Sequence, residues 1–188
     1  MGILIYAFFA VGLGCWLRLA SRSGLNMTGL RLAIGYAAMI LVIYVAQVIG
    51  SISGVTSFWI ACILAAGGVI VRLRTVQLSR DVLSFCLHPV WLLLVAGGMA
   101  IIVNGGVDYL PVTNDEFSHW LGNPVKINAF GSWSAARDSL HLADYPPGWP
   151  LLLALPWQLT GNVDLGAASA APFVLHVATI GIVFDILV

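Results

Sequence analysis

Polar residues arrive in this chain as punctuation between long apolar runs. The run Gly2–Leu19 is apolar until Arg18 near its end, and Leu32–Val71 holds no charged residue at all. Val82–Val103 is again free of charge. A helix needs about 20 apolar residues to cross a bilayer, and each Arg or Asp at its centre costs about 2.5–3.5 kcal/mol on insertion scales. The pattern predicts spans over 2–19, 32–49, 55–71 and 82–103, with Gly50-Ser-Ile-Ser-Gly54 as the turn that divides the long run. Past residue 103 the character changes. Residues 104–150 form one large polar and aromatic loop, predicted to hold short interfacial helices. Leu151–Leu159 is apolar but too short to span, so it reads as a re-entrant or interfacial helix, and Gly166–Ile182 as a fifth span.

The prediction is an all-α, polytopic transmembrane bundle. It divides into four helices over 1–103, an extracytoplasmic loop over 104–150, and an interfacial or re-entrant helix plus fifth span over 151–188. Composition agrees: 60% of the residues are hydrophobic and 9% charged, where soluble domains carry about 25% charged. Formal net charge is zero, which gives no basis for nucleic acid binding. Cys15, Cys62 and Cys86 all lie in apolar runs and read as small buried hydrophobes. No positive n-region precedes the first run, so it reads as a retained span rather than a secretory signal. The chain stops at Phe184-Asp-Ile-Leu-Val188 with no hydrophilic tail, and it is expected to be the N-terminal part of a longer protein.

Charge then orients the bundle. Arg18, Arg22 and Arg31 fall between the first two spans, and Arg72, Arg74 and Arg80 between the third and fourth. Basic residues collect on the cytoplasmic side, so the N-terminus and the 104–150 loop are expected outside. That loop carries Asp108, Asp115, Glu116, Asp138 and Asp144 against Lys126 and Arg137.

Candidate chemistry is confined to this loop. Asp115-Glu116 places two carboxylates where a polar acceptor meets a lipid-borne donor, as a general base would need, although Asn114-Asp115-Glu116 would also open a helix well. If 114–121 is helical, Asp115 and His119 share a face, as do Glu116 and Trp120. Tyr145-Pro146-Pro147-Gly148-Trp149-Pro150 stiffens the chain just before an apolar helix. Lys126, Arg137, His119 and His141 are the cations able to meet a phosphate in the loop. Walker-type glycines, zinc spacings and a nucleophile elbow are all missing, and the reading assigns no metal and no cofactor. His88, before Pro89 inside the fourth span where a kink is expected, and His176 in the fifth are left out of the site.

The order of these features resembles the multi-spanning glycosyltransferases that use lipid-phosphate-linked sugars, such as protein mannosyltransferases and the aminoarabinose transferase of lipid A, which share the GT-C type fold. The resemblance covers about 82–188. It rests on an acidic residue at Asp115 or Glu116 of the first large outside loop, an aromatic-Pro-Pro motif at Tyr145-Pro146-Pro147, the apolar helix, Gly161 and an inward span. Four spans precede the loop here where the familiar members usually have one, and Tyr145 stands in place of their usual His. The resemblance implies an integral protein of the bacterial plasma membrane, with the bilayer, a lipid-linked sugar donor and a glycan, lipid or protein acceptor as partners. It implies Asp115 as base, with Glu116 as its alternative, and His119, Lys126, Arg137, Tyr145 and Trp149 as substrate-binding residues. The alternatives are a transporter or flippase-like protein without covalent chemistry, and a non-catalytic assembly protein that binds its partner through Trp120, Trp133 or Trp149.

Overall fold

A computed structural model describes residues 2–16, 27–75, 87–103, 121–141, 143, 147–163 and 165–187. Helices account for nearly all of these, and no strand occurs among the described residues. Helix α1 spans Gly2–Gly14 and α2 spans Thr28–Tyr44, continuing as a π-helical turn over Val45–Ile49. α3 is Gly54–Thr75 and α4 is Pro89–Val103. Two short helices follow, α5 (Gly122–Phe130) and α6 (Trp133–Ala136), with a 3-10 turn at Arg137–Ser139. α7 (Gly148–Thr160) and α8 (Leu165–Leu187) complete the set.

Three stretches are long and apolar enough to cross a membrane: Thr28–Ile49 at 22 residues, Gly54–Arg74 at 21 and Ala170–Leu187 at 18. At 1.5 Å per residue they reach about 27–33 Å, close to the ~30 Å hydrocarbon core of a bilayer. Large apolar side chains such as Leu41, Trp59, Ile63, Leu92, Ile180 and Ile186 point outward from these helices and α4. An outward apolar surface of this extent is consistent with a protein that lies among lipids.

The turn dividing the long apolar run lies where the glycines and serines predict it. Gly50 N–H reaches back to Val45 O (2.9 Å) and Ile52 N–H to Ala46 O (2.9 Å), with Ser51 in the left-handed region at φ 50°. Ser53 then caps α3, its Oγ accepting the N–H of Thr56 (3.2 Å). Arg72 and Arg74 occupy the last turn of α3, where cations complement the helix dipole.

α2 is the centre of the bundle. α1 and α8 pack on it and on each other, α3 lies against α1, and α4 lies against α8. Helix backbones approach closely wherever small residues meet. A Cβ added at Gly35 would collide with the backbone of Ala10, and one at Gly29 with the backbone of Gly181. Small-residue contact of this kind drives helix association in lipid, where the hydrophobic effect gives no preference for helix over tail.

Helix α7 differs from the rest. Every residue from Pro150 to Gln158 is buried, against α2, α3, α5 and α8. Its first residue abuts the Ile40 side chain, and its last turn meets Gln47, so it runs alongside the second half of α2. Pro156 lies inside α7 and has no N–H to offer Leu152 O. The hydroxyl of Tyr6 donates to that carbonyl instead, at 2.8 Å, in a fully buried position.

Among the described residues Pro89 is the first residue of α4, and the start of the span in which a kink is expected, 82–86, lies outside them. The first helical position has no intrahelical use for an N–H and suits proline's fixed φ.

Candidate functional site

Asp115, Glu116 and His119 fall in 104–120 and Tyr145 in 144–146, which lie outside the described residues. So do Cys86, Trp120 and all but Leu121 of the expected helix over 114–121. Lys126, Arg137 and Trp149 are described. Lys126 projects from α5, and its Nζ donates to Ser139 O at 2.5 Å. Arg137 opens the 3-10 turn that ends at Ser139, and its guanidinium lies 5.7 Å from the centre of the Trp133 ring, within cation–π range. The structure therefore brings these two cations to one turn. Trp149 sits elsewhere, half-buried in the first turn of α7 and packed on the core. Its neighbour Gly148 touches Ile40, about 10 Å of helical rise from Gln47.

Residues 121–141 form a cap that is fastened to one end of the bundle by hydrogen bonds. Gly54 N–H donates to Gly131 O (2.7 Å) at the start of α3. Gln47, fully buried in the π-helical turn, holds the cap at two points. Its Oε1 accepts Trp133 N–H (3.3 Å) and its backbone carbonyl accepts Ser134 Oγ (2.6 Å). Gln47 Nε2 donates to Gln158 Oε1 (3.2 Å), while Gln158 Nε2 reaches Gln47 Oε1 and Ile127 O (both 3.4 Å). A buried amide costs free energy unless its donors and acceptors are filled. The two glutamines fill each other and in doing so join the end of α2, α5, α6 and α7. Within the cap, Asn123 exchanges two 2.8 Å bonds with the backbone of His141, and Ser132 caps α6 through Ala135 N–H (3.2 Å).

A second buried polar cluster lies at the opposite end of α2. His88 Nε2 and Asp185 Oδ1 are 3.0 Å apart, with only 5% and 3% of the two side chains exposed. Asp185 Oδ2 also accepts the N–H of Leu30 (2.9 Å). The sequence analysis leaves His88 out of the site and assigns Asp185 no role, and nothing in the sequence joins the two. The available signal is that each is an isolated ionisable residue in an apolar run, a situation that marks function by default. His176 behaves differently. It bonds its own helix, Nδ1 to Pro172 O at 2.7 Å, and faces outward rather than bridging helices.

Among the described residues no group of three or more His, Cys, Asp or Glu side chains could hold a metal ion. Cys15 and Cys62 are free thiols, the first buried and the second half-buried. Fold and site together define an all-helical protein with membrane-length apolar helices and a polar cap pinned to one end. The chain matches no family model, no curated protein and no solved structure.

Proposed function

We propose that the protein is a multi-pass glycosyltransferase of the bacterial plasma membrane, which moves a sugar from a polyprenyl-phosphate donor to an extracytoplasmic glycan, lipid or protein acceptor. The observation that carries this reading is the order of residues in one stretch: the carboxylate pair Asp115-Glu116, then Tyr145-Pro146-Pro147, then an apolar helix. That helix is α7, which begins directly after the prolines and is buried along nine consecutive residues. The arginines between the apolar runs put the cap end outside the cell.

In the reaction, the Asp115 carboxylate takes the proton of an acceptor hydroxyl as its oxygen attacks the anomeric carbon. The bond from that carbon to the phosphate oxygen breaks, polyprenyl phosphate leaves, and attack opposite the leaving group inverts the centre. Lys126 and Arg137 on the cap keep N–H donors beyond those used on Ser139 and Trp133, and these suit the leaving phosphate. Asp115→Asn in the full-length protein is expected to lower transfer from polyprenyl-phosphate sugars in proteoliposomes by roughly 10²–10⁴-fold, with unfolding behaviour unchanged. Transfer at the wild-type rate would remove Asp115 from the role.

One observation favours a second reading, a transporter or flippase-like protein. A short helix enclosed by longer ones, together with a buried His–Asp pair, is the kind of feature carriers use. Substrate flux across vesicles without covalent transfer would select it.

A further inference from the structure

Three helix ends meet at the His88–Asp185 cluster. α2 and α4 arrive with their N-termini and α8 with its last turn. Met27, the residue before α2, offers no side-chain cap. Asp185 supplies one from another helix by accepting the N–H of Leu30. This carboxylate lies at the negative end of its own helix dipole but against the positive end of α2. Its second oxygen faces His88, the residue preceding α4, and the imidazole ring stands edge-on to Phe184 with centroids 5.0 Å apart.

The bonds around His88 determine its tautomer. Val90 N–H points at Nδ1 (3.3 Å), so Nδ1 carries no hydrogen and acts as acceptor. The ring proton is therefore on Nε2, where it donates to Asp185 Oδ1. In this state the imidazole is neutral and caps α4 through Val90. A second proton has one place to go, Nδ1. There it meets the Val90 N–H head-on, so the cap on α4 is lost while the His88–Asp185 contact becomes an ion pair.

We propose that His88 and Asp185 form a proton-binding site, with the proton taken up on His88 Nδ1, and that its occupancy sets how firmly the first turn of α4 is held. α4 is the helix most exposed to such control, because it packs chiefly on α8. Val90 is fully buried there, against Gly181. Among the described residues, other charged groups on the packed elements are few. α2 brings Arg31, next to Leu30, and α8 brings His176, which is bonded to its own helix. α1 and α4 bring no charged side chain. Proton uptake leaves the Leu30–Asp185 bond in place, so α2 keeps its cap when α4 loses its own.

Hydrogen–deuterium exchange of the full-length protein in lipid nanodiscs at pH 8 and pH 5, corrected for the intrinsic pH dependence of exchange, tests this. Amides in the first turn of α4 are expected to lose protection roughly fivefold at pH 5, the worth of one hydrogen bond, while those around Leu30 do not change. His88→Asn, which caps without titrating, should hold α4 equally protected at both pH values. Protection of α4 that is independent of pH in the wild type, or a pH step that persists in His88→Asn, would overturn the proposal. Nitrogen-15 spectra of the wild type give a readout that needs no variant, with His88 assigned by selective His/Pro labelling because it is the one histidine followed by proline. The Nε2–H tautomer at pH 8 and a doubly protonated ring at pH 5 are expected, and an Nδ1–H tautomer at pH 8 would refute the site.

Discussion

Tyr6→Phe isolates a single hydrogen bond. The hydroxyl of Tyr6 is fully buried, as is its acceptor, Leu152 O. In an ordinary helix that carbonyl would receive the N–H four residues on, but here the residue is Pro156. Phenylalanine keeps the ring in place and removes the only donor the described residues give this carbonyl. An unpaired buried carbonyl costs about 1–3 kcal/mol, a substantial part of a stability that is commonly 5–15 kcal/mol. Pro156→Ala restores a backbone N–H to Leu152 O, so the same Tyr6→Phe change made in that background should cost under about 1 kcal/mol. The coupling read from the double-mutant cycle is then about 1–2 kcal/mol. Equilibrium unfolding of the four proteins in mixed micelles measures it. Equal costs of Tyr6→Phe in the two backgrounds would refute the view that tyrosine replaces proline's missing donor.

Gly35→Leu drives a side chain into the backbone of Ala10, which no rotamer relieves, so the α1–α2 pair should separate and the yield of folded protein in detergent should collapse. Gly131→Ala, at φ 79° with open space around it, should cost only about 1 kcal/mol of strain, read as a small shift in the same unfolding curves. Gln47→Leu strips the acceptor from Trp133 N–H and both side-chain partners from Gln158. It should destabilise by about 1–3 kcal/mol and expose the cap to limited proteolysis within 121–141. Ser134→Ala, which removes one hydroxyl bond to the Gln47 backbone, should do so far less.

Much of the fold was legible in the sequence because bilayer thickness imposes a length on apolar runs. The unbroken stretch from Leu32 to Val71, divided at Gly50–Gly54, becomes α2 and α3 with their turn at the expected place. The structure lengthens both: α2 starts at Thr28 and α3 runs to Thr75. At the end of α3, Arg72 and Arg74 are accommodated at little cost because they can snorkel to water, whereas Arg31 in the first turn of α2 is buried. The tandem prolines at 146–147 mark where α7 begins, and Gly161 marks where it ends, at φ 70°. Of the residues proposed to meet substrate, the sequence could nominate Lys126 and Arg137 one by one, but not their convergence on one turn. That depends on Asn123 and Ser139 folding the cap back on itself.

What only the tertiary structure decided is which helix faces meet. In a soluble protein the alternation of polar and apolar positions points each face inward or outward. Here α1 and α4 are hydrophobic all round, as helices are that need not distinguish a lipid-facing side from a core-facing one, and their sequences give no facing direction. Facing is set instead by small residues that let backbones touch, and by rare polar groups that must find partners far along the chain: Tyr6 with Leu152, 146 residues apart, Gln47 with Gln158, 111 apart, and His88 with Asp185, 97 apart. Composition and run length therefore determine that this chain forms membrane-length helices. The need to satisfy buried polar atoms, which has no periodic signature, determines how those helices are assembled.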